Sequence, residues 1–109
     1  MIRAKLLIGD HRLTGFEIRG HAMFAPAGSD VVCAAVSSAA YLAVNTITDV
    51  LGEQAQAQVT QGRMIVRLAA PTPQSEAVLR GLAMHLTALS RQYPTHIKVF
   101  YGGVQNASD

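Results

Sequence analysis

Hydrophobic and polar residues alternate over 2–8, with Ile2, Ala4, Leu6 and Ile8 on one side and Arg3 and Lys5 on the other. A period of two predicts a half-buried strand. Gly9-Asp10-His11 reads as a turn, and residues 12–19 as the returning strand with Phe16 and Ile18 inward. Leu13 is out of register with that pair, and Gly15 marks where a bulge corrects it. From 31 to 51 the spacing becomes helical, with Asp30 as N-cap and Gly52 as stop. Two faces of this helix are apolar or very small: Val32, Ala35, Val36, Ala39, Ala40, Ala43, Ile47 and Val50. So many alanines predict close packing on a sheet, or burial on two sides. Alternation returns over 55–60 and 63–69, around a hairpin turn at Gln61-Gly62. Thr72 and Pro73 open a second helix with the apolar stripe Leu79, Leu82, Leu86 and Leu89. A last strand over 96–101 precedes a flexible tail, 102–109.

The order ββαββαβ predicts an α/β fold of the α+β type. It is a two-layer sandwich in which two helices cover one face of a mostly antiparallel sheet. The other sheet face, or an edge, is left for a partner. A length of 109 residues fits one domain, 1–109.

Composition narrows the function. Half the residues are hydrophobic and 15% are charged, as in a globular protein. The net charge of +2 is too mild to argue for nucleic acid, and the nine Lys and Arg residues form no run, so no direct nucleic-acid contact is expected. The start MIRAKLLIGD has too short an apolar run for a signal peptide. No segment is read as approaching the roughly 20 apolar residues of a membrane span, so no membrane partner is expected. One cysteine excludes an internal disulfide and any multi-cysteine metal cluster. No metal or cofactor is expected, and a lone thiol fits a reducing, cytoplasmic setting.

That cysteine, Cys33, follows His21 by twelve residues across a Gly/Pro/Ala-rich stretch. The thiolate is the reactive form of cysteine, and helix N-termini and neighbouring histidines favour it in general. With Asp30 as N-cap, Cys33 is the third residue of the first helical turn, where unpaired N–H groups face negative charge. Those N–H groups suit an oxyanion hole, and His21 suits a base for a thiol nucleophile. Asp30 either caps the helix or orients His21. Ser37 is one turn beyond Cys33 on the same helical face. Each residue also has an ordinary role: a small buried hydrophobe, a loop histidine, a cap, a packing hydroxyl. His11, His85 and His96 are weaker bases by position: a tight turn, the middle of a helix and a strand start.

The segment Gly20-His21-Ala22, a loop containing Gly28, and then Asp30-Val31-Val32-Cys33-Ala34-x-x-Ser37 resembles the bacterial ribosomal-processing cysteine protease family, Prp. Length and element order are similar as well. The resemblance implies a cytoplasmic cysteine endopeptidase, with Cys33 as nucleophile and His21 as general base. Asp30 and Ser37 match positions near the site. It implies removal of a short N-terminal extension from a large-subunit ribosomal protein, after a pair of aromatic residues, in support of ribosome assembly. It also implies a homodimer with a mobile loop between the histidine and the cysteine. Here that loop, which includes Gly20, Ala22, Met23, Phe24 and Gly28, is more apolar than is typical. It is expected to be mobile when empty and to close on peptide, with Met23 or Phe24 covering the aromatic residues. Two other readings stand beside this one. A non-catalytic ribosome-associated or RNA-binding module draws on the basic pI and on Arg3, Arg63 and Arg67, but lacks aromatics for stacking. A thiol redox sensor lacks a resolving cysteine.

Overall fold

Strand β1 (Ile2–Gly9) turns into β2 (Arg12–Arg19) through Asp10 and His11, both at positive φ, 53° and 64°. Two consecutive left-handed residues make the tight turn whose twist matches the flanking strands. Leu7 faces Gly15 across this pair and Ile8 faces Leu13, so Thr14 is the extra residue of a bulge. The bulge carries Leu13 to the core side, where it is buried, as the pattern of the chain predicts. Gly15 answers a different demand: a Cβ there would collide with the Val66 carbonyl of the adjacent strand.

The computed structural model describes residues 1–22, 25–26 and 30–103. After β2 come helix α1 (Val31–Asn45), a π-helical turn (Thr46–Val50), β3 (Ala55–Thr60), β4 (Arg63–Leu68), α2 (Pro73–Gln92) and β5 (Ile97–Gly103). The strands form one sheet in the order β3-β4-β2-β1-β5, antiparallel except for the parallel β1–β5 pair. Helices α1 and α2 lie side by side. Their buried residues, including Val36, Ala40, Leu79 and Leu86, join Ile2, Ala4, Leu6, Phe16 and Val66 of the sheet in one core. Leu7 and Ile65 are also buried but belong to the opposite sheet face.

Three details depart from the sequence reading. The long helix does not stay α-helical to residue 51. Thr46 and Thr48 turn their hydroxyls back onto the Leu42 and Val44 carbonyls, at 2.7 and 3.0 Å, and the ladder widens to the Leu51 N–H to Thr46 carbonyl bond. Val50, expected on an apolar face, is 76% exposed beyond that turn. The run Val31–Val50 does reach the length and mean hydropathy, 1.6, of a membrane-crossing helix, because alanine and valine dominate it. In this fold it packs Val32, Val36, Ala40, Ala43, Val44 and Ile47 into the core. The third departure is at the end, where Gly102 and Gly103 belong to β5 opposite Leu7 and Ile8.

Helix α2 begins as its sequence predicts. The Thr72 hydroxyl accepts the Ser75 N–H, and the Ser75 hydroxyl accepts the Thr72 N–H in turn, with Pro73 at the first helical position. This capping box satisfies amides that would otherwise lack partners.

Candidate active site

The Asp30 carboxylate starts α1. Its Oδ1 accepts the N–H groups of Val32 (3.0 Å) and Cys33 (3.1 Å), and its backbone carbonyl accepts that of Ala34 (3.1 Å). The capping role is therefore realised. The same bonds revise the expectation of an oxyanion hole at the helix start, because these three amides are already engaged. Oδ2 accepts the Cys33 thiol at 3.5 Å, so the carboxylate touches both the helix and the sulfur.

Cys33 is half-buried and packs against the edge of the core. Its Sγ accepts the Ala22 N–H at 3.3 Å. Ala22 is buried, and its carbonyl lies 2.7 Å from His96 Nδ1. A carbonyl can only accept, so His96 Nδ1 carries the hydrogen of this bond. The peptide beside the sulfur is thus held from the start of β5, where the His96 carbonyl also receives the Ile2 N–H at 2.8 Å.

His21 is placed by glycines. The Gly20 N–H donates to the Gly62 carbonyl at 2.8 Å, and Gly20 sits at φ 91° where a Cβ would meet the Met1 carbonyl. The imidazole then lies against Gly62, whose φ is 76°. A Cβ on Gly62 would be 3.0 Å from His21 Nε2. His21, Cys33, Ser37, Tyr41, Val59 and Gly62 line one cleft of about 170 Å³. Among the described residues no hydrogen bond joins His21 to Cys33, while both open onto the same space.

Of the residues singled out in the sequence, Gly20, His21, Cys33 and Ser37 line this cleft, and Ala22 and Asp30 bond the sulfur. Met23, Phe24 and Gly28 lie outside the described residues, as does the expected loop closure. Residue spacing does not reveal the anchoring bond of His96. Nor does it show that Gly62, in its hairpin turn, borders His21, or that Tyr41 and Val59 line the cleft. Among the described residues no group of three His, Cys, Asp or Glu side chains is arranged to hold a metal ion.

The two bonds of Oδ1 make a test of Asp30. Asparagine caps as well as aspartate, so Asp30→Asn should melt close to the parent, whereas Asp30→Ala should lose roughly 0.5–2 kcal/mol. Denaturant unfolding measures both, and cleavage assays on both separate the cap from any action on His21. A stable, fully active Asp30→Asn protein confines Asp30 to capping.

A thiol at the head of a core helix, facing an imidazole across a cleft on a two-layer sandwich, is the layout of a small cysteine hydrolase. The family model described as Cysteine protease Prp matches residues 1–98, and the chain belongs to that family; it is a cysteine protease. The Ribosomal processing cysteine protease Prp of Mycoplasma pneumoniae is 35% identical over 94 residues, covering 85% of this chain and 89% of the relative. The protein of the same name from Mycoplasma genitalium is 29% identical over 85 residues, 74% of this chain and 81% of the relative. Among solved structures, the essential ribosomal processing protease Prp from S. aureus, in complex with a covalently linked product peptide, matches with a TM-score of 0.88. That match covers 94% of this chain and 100% of the other at 23% identity, and it bears on the fold.

Proposed function

We propose that this cysteine protease uses Cys33 as nucleophile and His21 as general base to remove a short N-terminal extension from a large-subunit ribosomal protein. The observation that carries the reading is the cleft shared by the Cys33 thiol and the His21 imidazole. His21 takes the thiol proton and Sγ attacks the scissile carbonyl carbon. Collapse of the tetrahedral adduct releases the new amine, which receives the proton from His21, and leaves a thioester on Cys33. Water, deprotonated by His21, then releases the extension as its carboxylate and restores the thiol. The Ala22 N–H, 3.3 Å from Sγ, faces the negative charge that develops there. Asp30 holds the helix start that presents the sulfur, and Ser37 borders the cleft one turn on.

The ribosomal substrate is supported by the names of the two Mycoplasma relatives, and the peptide chemistry by the product peptide linked in the S. aureus protein. The cytoplasmic setting follows from that substrate. The family resemblance supports a homodimer, as does Leu42, 70% exposed beside a groove between α1 and α2. Light scattering decides between the dimer and the 11.6 kDa monomer.

The test is incubation of the purified protein with the ribosomal protein carrying its N-terminal extension, followed by intact-mass spectrometry. One cut at the end of the extension, after paired aromatic residues, is the expected result. An uncut substrate, or cuts scattered along the chain, would overturn the reading.

A further inference from the structure

The nine Lys and Arg residues are scattered along the chain, but the sheet register gathers them. Arg63 is opposite Arg19, Arg19 is opposite Arg3, and Arg3 is opposite Lys98. Partners across a ladder point to the same side, so these four cations form a row across β4, β2, β1 and β5. Four strands at about 4.8 Å spacing make that row roughly 14 Å long. Lys5 and Arg67 belong to the same face, opposite Glu17 and Gly15 of β2. This is the face that the helices leave open, since Ile2, Ala4, Leu6 and Val66 point the other way into the core.

The charge balance there is one-sided. Among the described residues the face carries six of the nine cations and, through Glu17, one of six carboxylates, so the remaining described residues are net negative. Glu17 bridges Arg19 at 2.7 Å and Arg63 at 2.9 Å. Burial raises the Glu17 carboxyl, but its hydrogen bonds to Arg19 and Arg63 and their charges outweigh that and hold it below the usual range. Arg3, Lys5, Arg67 and Lys98 have no ion pair among the described residues. Like charges directly opposite one another in a sheet are destabilising. The fold therefore gains nothing from facing Arg3 with Lys98 and Arg19. A polyanion laid along the row would gain from all of them.

We propose that the open sheet face binds RNA through its phosphate backbone. The choice of RNA over other polyanions rests on the ribosomal reading above, since a ribosomal protein is processed beside RNA; the cationic row does not depend on it. This reverses the expectation from the scattered basic residues. Among the described residues the face offers one aromatic, Phe100, whose ring already receives Lys98 Nζ at 5.9 Å from its centroid, so contact is to phosphates rather than stacked bases. The row ends at Arg63, which also lines the cleft of Cys33 and His21. RNA on the sheet would keep the protease beside a substrate held on the same ribonucleoprotein.

Fluorescence anisotropy with a labelled RNA hairpin, titrated with the intact protein across a salt series, tests this without any cleavage step. The four unpaired cations predict that the logarithm of the binding constant falls with that of salt with a slope of about −3. An Arg3→Gln, Arg67→Gln, Lys98→Gln variant should bind about tenfold or more weakly at low salt, with a slope reduced by about 2. Its melting should match or exceed that of the parent, its cleavage of a free peptide should match the parent, and the corresponding Arg→Lys changes should keep binding. No RNA binding at about 50 mM salt, unchanged binding by the Gln variant, or tighter binding to phosphatidylserine vesicles than to RNA would each overturn the proposal. Loss of peptide cleavage alone would strike the catalytic reading and leave RNA binding to be scored on its own.

Discussion

Cys33→Ala should leave a folded protein that no longer cuts the extended ribosomal protein. The thiol is at the edge of the core, half-buried, and its two hydrogen bonds, 3.3 Å from the Ala22 N–H and 3.5 Å to Asp30 Oδ2, are weak because sulfur is a weak donor and acceptor. Losing them should cost about 1 kcal/mol, the middle of the range for point substitutions. The expected chemical loss is of another order, because Cys33 carries the only thiol in the chain. Removing a nucleophile can cost on the order of 10⁶-fold in turnover. Cys33→Ser separates shape from chemistry: it keeps an atom that can bond Ala22 and Asp30 but puts a poorly ionised hydroxyl in place of the thiol. It should melt near the parent and still fail to cleave. Undiminished cleavage by the Ala variant, followed by mass spectrometry, would remove the thiol protease reading.

His21→Ala should lower cleavage by about 10²–10⁴-fold, the usual contribution of a positioned base. The ring is exposed and carries no core packing, so the melting temperature should stay close to that of the parent. Gly62→Ala approaches the same function with the imidazole still present. Its Cβ would be 3.0 Å from Nε2, at a backbone φ of 76° that disfavours any side chain. It should lower the rate by displacing the ring. Single-turnover kinetics with the extended substrate measures both variants. A His21→Ala protein within tenfold of the parent rate would move the base elsewhere.

Much of the scaffold is legible along the chain because each element carries its own local instructions. Alternation in β1 and β4, the bulge needed to bring Leu13 inward, the Asp30 and Thr72 caps and the leucines of α2 are all short-range patterns, and each appears in the fold. Asp30, Cys33 and Ser37 share one helix, so their proximity is also local. What the sequence hides is set by pairing between distant segments. Gly102 and Gly103 read as the start of a tail, yet parallel pairing with β1 extends the strand through them, and the Lys5 stem lies where a Cβ on Gly102 would be. The basic residues look dispersed until the register places Arg63, Arg19, Arg3 and Lys98 side by side. Gly62 earns its second role only when the β3–β4 turn reaches His21. The widened end of α1 depends on which carbonyls Thr46 and Thr48 claim, a competition that residue spacing does not reveal.

The bond from His96 to the Ala22 carbonyl closes a span of 74 residues. In synthesis order, the segment with His21 and Cys33 precedes the strand that anchors it. A growing chain therefore carries the thiol and the imidazole well before the peptide between them is fixed. Loops of that length close late in folding, because their entropy is lost before distant contacts compensate it. The peptide beside the sulfur is therefore fixed only once β5 has joined β1 and Ile2 has met the His96 carbonyl. Pairing of β5 with β1 thus orders a segment far from it in sequence, beside the only thiol in the chain.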